Sequence, residues 1–281
     1  MSYGFTALNS NNYITISDAQ FNPQYVGRAT FVSSGWWYWT TGGRVYVSTS
    51  GGRVNGAYVS WLTIGVATYT ITYPTNQGRP LPFIVQDSSV SYGAAINAIK
   101  PVGTSGSNTI WNIYVNICNG LSMTDAAQPK ILVFASYPEQ TTPTGYGLTV
   151  KGADGTIAFN SNLKHLVVST AISYTTSVCV NQSMGGSSTN HSPAISYNSV
   201  TSIPNLPSSP AFLYQTGFTD FPFNDSFFGT TTYYMASAVG RINGTNFESS
   251  CGFGSPGTTY ANAVLPRIPN AVLFIDSSKY L

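Results

Sequence analysis

Apolar residues in this chain return at every second position, in short bursts, and no convincing stretch repeats them at helical spacing. The clearest burst is Trp111-Asn112-Ile113-Tyr114-Val115-Asn116-Ile117. Alternation of this kind puts one set of side chains on one face of a strand. Between the bursts stand turn pairs: Gly42-Gly43, Gly51-Gly52, Asn55-Gly56, Asn119-Gly120 and Asn243-Gly244. Turn pairs at such short spacing mark an antiparallel meander. The chain is therefore expected to be all-β and antiparallel.

Some stretches depart from simple alternation. From Tyr58 to Tyr73, apolar residues fall on even positions (Leu62, Ile64, Val66) and then on odd ones (Tyr69, Ile71, Tyr73). A slip of one residue sends every later side chain to the other face, so a bulge or turn is expected near Ala67-Thr68. Ile131 to Phe134 is continuously apolar and reads as a central strand covered on both faces. Asn181 to Pro210, rich in Ser, Asn, Pro and Gly, reads as a long loop, mobile or held by a neighbouring subunit. Short helical turns are expected near Tyr92 to Ile99 or Ser122 to Gln128.

Two echoes point to an internal duplication. Tyr3-Gly4-Phe5-Thr6-Ala7-Leu8 returns as Tyr13-Ile14-Thr15-Ile16-Ser17, on the plan of the hairpin from Tyr146 to Phe159. Pro129 to Ser136 resembles Pro269 to Asp276 at nearly the same offset. Each repeat is then about half the chain, an ordinary domain size. The expectation is two tandem antiparallel β-sandwich domains, residues 1–139 and 146–281. A linker, residues 140–145, joins them within the proline-bearing stretch Pro138 to Gly145.

Charge narrows the function. Only 7% of the 281 residues are charged, against about 25% in an average soluble domain. Such a surface gives little colloidal repulsion and suits a subunit of an assembly. The net charge of +2 and eleven scattered basic residues leave no nucleic-acid footprint. Cys118, Cys179 and Cys251 fit neither a disulfide framework nor a zinc site. The opening Met1-Ser2-Tyr3-Gly4 carries no signal-peptide pattern, and no apolar run is long enough to span a bilayer. The expectation is synthesis in the cytoplasm without membrane insertion.

Catalytic patterns are weak. His165 and His191 have no carboxylate or cysteine near them in sequence. Asp220 and Asp225 flank aromatic residues, in the manner of the paired carboxylates of a sugar site, and are the nearest thing to a catalytic pair. Pro101 to Gly106 lacks the lysine of a phosphate loop. The chain is read as a non-enzyme with no cofactor and no metal.

Aromatic residues carry the remaining signal: Tyr 19, Phe 15 and Trp 5. Trp36, Trp37 and Trp39 crowd one strand, and Phe221, Phe223, Phe227 and Phe228 surround Pro222. Aromatic faces fill subunit interfaces or stack on sugars. These seven residues are the candidate interface or glycan contacts.

The run Tyr-Gly-Leu-Thr-Val-x-x-x-Asp-Gly-Thr-Ile-Ala-Phe-Asn-Ser, from Tyr146 to Ser161, resembles the opening of small virion proteins of tailed bacteriophages. Those are described as tail, tail-tip or tail-fibre proteins. Tyr3 to Ser17 is similar to a worn copy of it, and the closing Leu-Val-Phe and Val-Leu-Phe strands are similar too. The resemblance covers about a fifth of the chain. It implies structure and attachment, with no catalytic residues. It implies residence in the virion tail, at the tip, baseplate or fibre. The implied partners are other copies of the chain, with a trimer favoured, other tail proteins, and a host glycan or pilus. A carbohydrate-binding receptor module or lectin-like adhesin is the alternative.

Overall fold

The computed structural model describes the backbone of residues 6–8, 14–17, 22–39, 45–48, 53–54, 57–58, 64–86, 93–118, 128–136, 146–152, 155, 157–173, 199–215, 218–225, 230–257 and 271–281. Side chains are described for 22–35, 65–86, 93–117, 128–136, 146–152, 155, 157–173, 200–215, 238–249 and 271–281. The described residues form strands and two 3-10 turns, Thr75–Gln77 and Ser277–Lys279. The all-β expectation is borne out.

Within residues 1–139 the strands are β1 (Thr6–Leu8), β2 (Ile14–Ser17), β3 (Gln24–Trp39), β4 (Val45–Ser48), β5 (Arg53–Val54), β6 (Ala57–Tyr58), β7 (Ile64–Pro74), β8 (Pro80–Val85), β9 (Gly93–Ser105), β10 (Asn108–Cys118) and β11 (Lys130–Ala135). Within residues 146–281 they are β12 (Thr149–Lys151), β13 (Ile157–Asn160), β14 (Val168–Ser173), β15 (Ser199–Ser202), β16 (Pro210–Leu213), β17 (Phe218–Asp225), β18 (Thr230–Asn243), β19 (Asn246–Gly257) and β20 (Ala271–Asp276).

One long strand organises the sheets. The first part of β3, Gln24 to Ala29, pairs with β11, and the next part, Thr30 to Trp36, pairs with β7. It thereby joins a first layer, in the order β14-β20-β16-β8-β11-β3, to a second, β3-β7-β10-β9-β18-β19-β15. The inner faces of the two layers share one core. Ile84, Ile131 and Val133 of the first layer pack in the same cluster as Ile71, Ile113 and Val115 of the second. Aromatic rings tie the layers together: Phe247 of β19 meets Phe212 at 5.5 Å and Phe274 at 5.9 Å, both edge to face. Such pairs add about 0.5–1.5 kcal/mol each beyond their area. The Tyr69 hydroxyl, fully buried, donates to the Pro129 carbonyl at 2.7 Å.

Strand β11 is covered on both faces, as its continuous apolar run predicts. Ile131 and Val133 face the shared core, while Leu132 and Phe134 face a second cluster with Phe83, Ala211, Ile275 and Tyr280. The expected bulge near Ala67-Thr68 is not in β7, which pairs with β10 without a break from Ile64 to Pro74. Val66, Ala67, Thr68 and Tyr69 are buried on both faces there, whereas Thr72 is exposed and Tyr73 buried. The change of phase in the sequence records a change from two-sided to one-sided burial. The irregularity lies opposite, in β3 between Phe31 and Ser33. Gly93 to Ile99, expected to hold a helical turn, belongs to β9. Ser199–Ser202, expected within a loop, is a strand.

The pairing does not confirm a division into two self-contained sandwiches. Both layers carry strands from both halves: β16 pairs with β8, and β18 meets β9 at Gly240↔Ala94. A third link is the bridge Gln24↔His165, where Tyr25 N–H donates to Lys164 O and Leu166 N–H to Pro23 O, each at 2.7 Å. Residues 140–145 lie outside the described residues.

Several features nevertheless recur at matched places. The β1–β2 hairpin pairs Thr6↔Ser17, Ala7↔Ile16 and Leu8↔Ile14; the β12–β13 hairpin pairs Thr149↔Asn160, Val150↔Phe159 and Lys151↔Ile157. Each shifts register at the same step. The tip of β9–β10 closes at Ser105↔Asn108 with Gly106 at φ 60°, and the tip of β18–β19 closes at Asn243↔Asn246 with Gly244 at φ 59°. Thr75 N–H donates to Ser107 O at 3.0 Å, and Ile203 N–H to Thr245 O at 2.8 Å. β11 lies between β8 and β3 as β20 lies between β16 and β14.

Candidate functional site

The described aromatic candidates fall on two strands, the last part of β3 and the middle of β17. Trp36, Trp37 and Trp39 lie on the last part of β3, opposite Ser48, Val47 and Val45 of β4. Phe221 and Phe223 lie on β17, opposite Tyr234 and Thr232 of β18. Pro222 between them has no N–H to give to a ladder, which suits an edge strand. Indeed β18 is the one sheet neighbour of β17 among the described residues. Phe227 and Phe228 lie outside the described residues.

The two aromatic strands belong to one region. β17 pairs with β18, β18 with β19, and β19 comes into contact with β3. The long first-to-second-layer strand and the edge strand β17 are thus separated by two strands. The sequence placed these residues in two unrelated clusters; the topology puts them in one continuous strand system.

Asp220 and Asp225 pair with Met235 and Thr230 on the same β17–β18 ladder. They are five positions apart along the strand, roughly 17 Å from one Cα to the other at about 3.4 Å per residue. This placement does not present them as two carboxylates flanking one glycosidic bond, which needs roughly 5–10 Å.

No protein-family model, curated protein or solved structure matches this chain.

Polar chemistry elsewhere is structural in kind. His165 stacks on Phe159 at 4.5 Å, with Nε2 2.7 Å from the Asn160 carbonyl. The Tyr280 hydroxyl donates to His165 O at 2.7 Å and accepts from Val167 N–H at 3.1 Å. Its ring meets Phe134 at 4.8 Å and Tyr25 at 5.5 Å. Burial pushes the Tyr280 hydroxyl up from its ordinary range, and does the same to Tyr25 against the pull of Arg28. These contacts fasten the 164–167 run, with its hairpin, to the first strands of the chain.

On the outer face of the second layer, Arg241 Nε and Asn243 Nδ2 each donate to Glu248 at 2.8 Å. Burial raises the Glu248 carboxyl, but these two hydrogen bonds and the Arg241 charge bring it below its usual range. His191 lies outside the described residues. Among the described residues no group of three or more His, Cys, Asp or Glu is gathered as a metal site would need. None of their helices is long and apolar enough to cross a membrane. Pro101 to Gly106 forms the end of β9 and its tip, an extended strand with no helix after it.

Proposed function

We propose that this protein is a structural component of a bacteriophage tail, at the tip, baseplate or fibre. It acts by assembling with copies of itself and with other tail proteins. The observation that supports this best is a chain with only 7% charged residues on an all-β body, with tryptophans on β3 and phenylalanines on the edge strand β17. A sparsely charged surface that carries aromatic rings favours burial against other subunits over free life in solution. The hairpin that resembles the opening of phage tail proteins occurs twice with one register, which supports an internal duplication of a half-size unit. On this account the chain is two such units joined strand to strand.

A carbohydrate-binding receptor module is the second reading. It rests on the same tryptophan and phenylalanine strands, which would then form a groove for a host glycan.

The experiment is to purify the particles of a phage that encodes the chain and locate the protein by antibody labelling. Label on the tail, and failure of tails to assemble when the gene is deleted, support the proposal. Absence from particles sinks it.

A further inference from the structure

The order of strands in the large sheet repeats between the halves. The first half supplies β8-β11-β3-β7-β10-β9, and the second supplies β16-β20-β14 and β15-β19-β18 in the same sense. The ladders match in detail. The Ser136 hydroxyl donates to Arg79 O at 2.6 Å, and the Ser277 hydroxyl to Ser209 O at 2.9 Å. Beside them Ala135 opposes Pro80, and Asp276 opposes Pro210. Register shifts once along β11–β3, between Gly27 and Tyr25, and once along β20–β14, between Thr170 and Val168. Beyond each shift the chain shows an exposed and then a buried residue: Arg28 and Ala29 in β3, Ala171 and Ile172 in β14. In the other layer Pro74 opposes Asn108 at one tip, as Ser202 opposes Asn246 at the other. Exposed Thr72 therefore corresponds to exposed Val200.

On this path one ladder alone lacks its match among the described residues. β3 leaves β11 after Ala29 and takes up β7 from Thr30↔Thr70. β14 corresponds to β3, and β15 to β7, yet these two stand at opposite ends of the path. Neither carries the charge or proline that guards an edge: they read Val-Ser-Thr-Ala-Ile-Ser and Ser-Val-Thr-Ser. Both ends lie over one core, since Ile172 of β14 and Ile203, just past β15, belong to the same cluster.

We infer that β14 and β15 are antiparallel neighbours within one chain, and that they complete the path into a ring. Each end then has the occupant that its counterpart in the first half already shows. A ring leaves no row of unused N–H and C=O groups at either end. In the large sheet β4 and β17 keep a single neighbour each. These are the strand opposite Trp36, Trp37 and Trp39 and the strand that bears Phe221 and Phe223. The ends of the path are thereby withdrawn from association between copies, and the aromatic strands are not. The inference rests on the matched ladders and holds with or without the tail reading.

The test is thiol cross-linking of the intact chain at low concentration. Arg28→Cys with Thr72→Cys marks the outer side of β3 and β7, and the shortest bis-maleimide that joins this pair is used throughout. Ala171→Cys with Val200→Cys should be joined by the same reagent within one chain, with both thiols consumed and one reagent mass gained. Neither single variant should give that link, which sets aside Cys118, Cys179 and Cys251. All four positions are exposed, so far-UV circular dichroism should match that of the unchanged protein. No link within the chain under conditions that join the first pair, or a link formed only between chains, overturns the pairing.

Discussion

The ring of Phe247 fills the space in which a side chain on Gly240 would begin. Three of its ring carbons crowd the position of that absent Cβ. Gly240 is also the residue at which β18 meets β9, through Ala94. The aromatic cluster of Phe247, Phe212, Tyr214 and Phe274 and the seam between the halves therefore depend on one missing methyl group.

Gly240→Ala should destabilise the protein by about 1–3 kcal/mol, the usual cost of forcing an extra carbon into a packed core. Denaturant unfolding measures it. The double variant Gly240→Ala with Phe247→Leu should lose less than the sum of the two single losses, since the smaller side chain yields the space. Strict additivity would show that the clash is not the cause.

Tyr280→Phe should cost about 1–2 kcal/mol. It keeps the ring packed on Phe134 and Tyr25 but leaves Val167 N–H and His165 O without their hydroxyl partner. Tyr280→Ala should cost more, about 3–5 kcal/mol, because the cavity is added. Equal losses from the two changes would mean that the hydroxyl carries the whole effect.

Stability should decline at both ends of the pH scale, for separate reasons. Tyr25, Tyr73 and Tyr280 are raised above the ordinary tyrosine value of 10.0 by burial. Their contribution is full below the unfolded value and disappears as pH rises through the folded ones. Glu248 is lowered from 4.5. Its contribution is present above the unfolded value and disappears as pH falls through the folded one. Glu248→Gln should therefore remove part of the acid limb, about 0.5 kcal/mol for so shallow an ion pair, and leave the alkaline limb alone. Melting temperature against pH reads both limbs.

Trp37→Ala and Phe223→Ala should weaken association between copies by at least ~2 kcal/mol each, or roughly 30-fold, as truncation of a central interface aromatic does. The circular dichroism should not change. Sedimentation across a dilution series measures the association. Unchanged association together with lost binding to host lipopolysaccharide would favour the receptor module instead.

How far the sequence reached depends on the kind of strand. β11 was legible because a strand buried on both faces must be apolar throughout, and Ile131 to Phe134 is. The two hairpins were legible because their strands alternate around polar turns. β7 was read with a bulge because periodicity sees only one chain, while the burial of Val66 and Thr68 depends on what lies over them. β15 was hidden because Ser-Val-Thr-Ser offers one aliphatic residue, and its place as a strand is set by pairing with β19. The sharing of sheets between halves was not readable at all. Edge contacts such as Ala211↔Val85 join residues more than a hundred positions apart and leave no local mark. The aromatic strands were found by composition, but their common strand system comes from the contact of β19 with β3.

The account rests on two halves that share both sheets, linked by β8–β16, by β9–β18 and by Gln24↔His165. The most direct test inserts a specific protease site between Pro138 and Gly145 and cuts it under native conditions. The two fragments should stay together through gel filtration and unfold in a single transition. Fragments that separate, each keeping a folded β spectrum and its own melting point, would contradict the shared sheets.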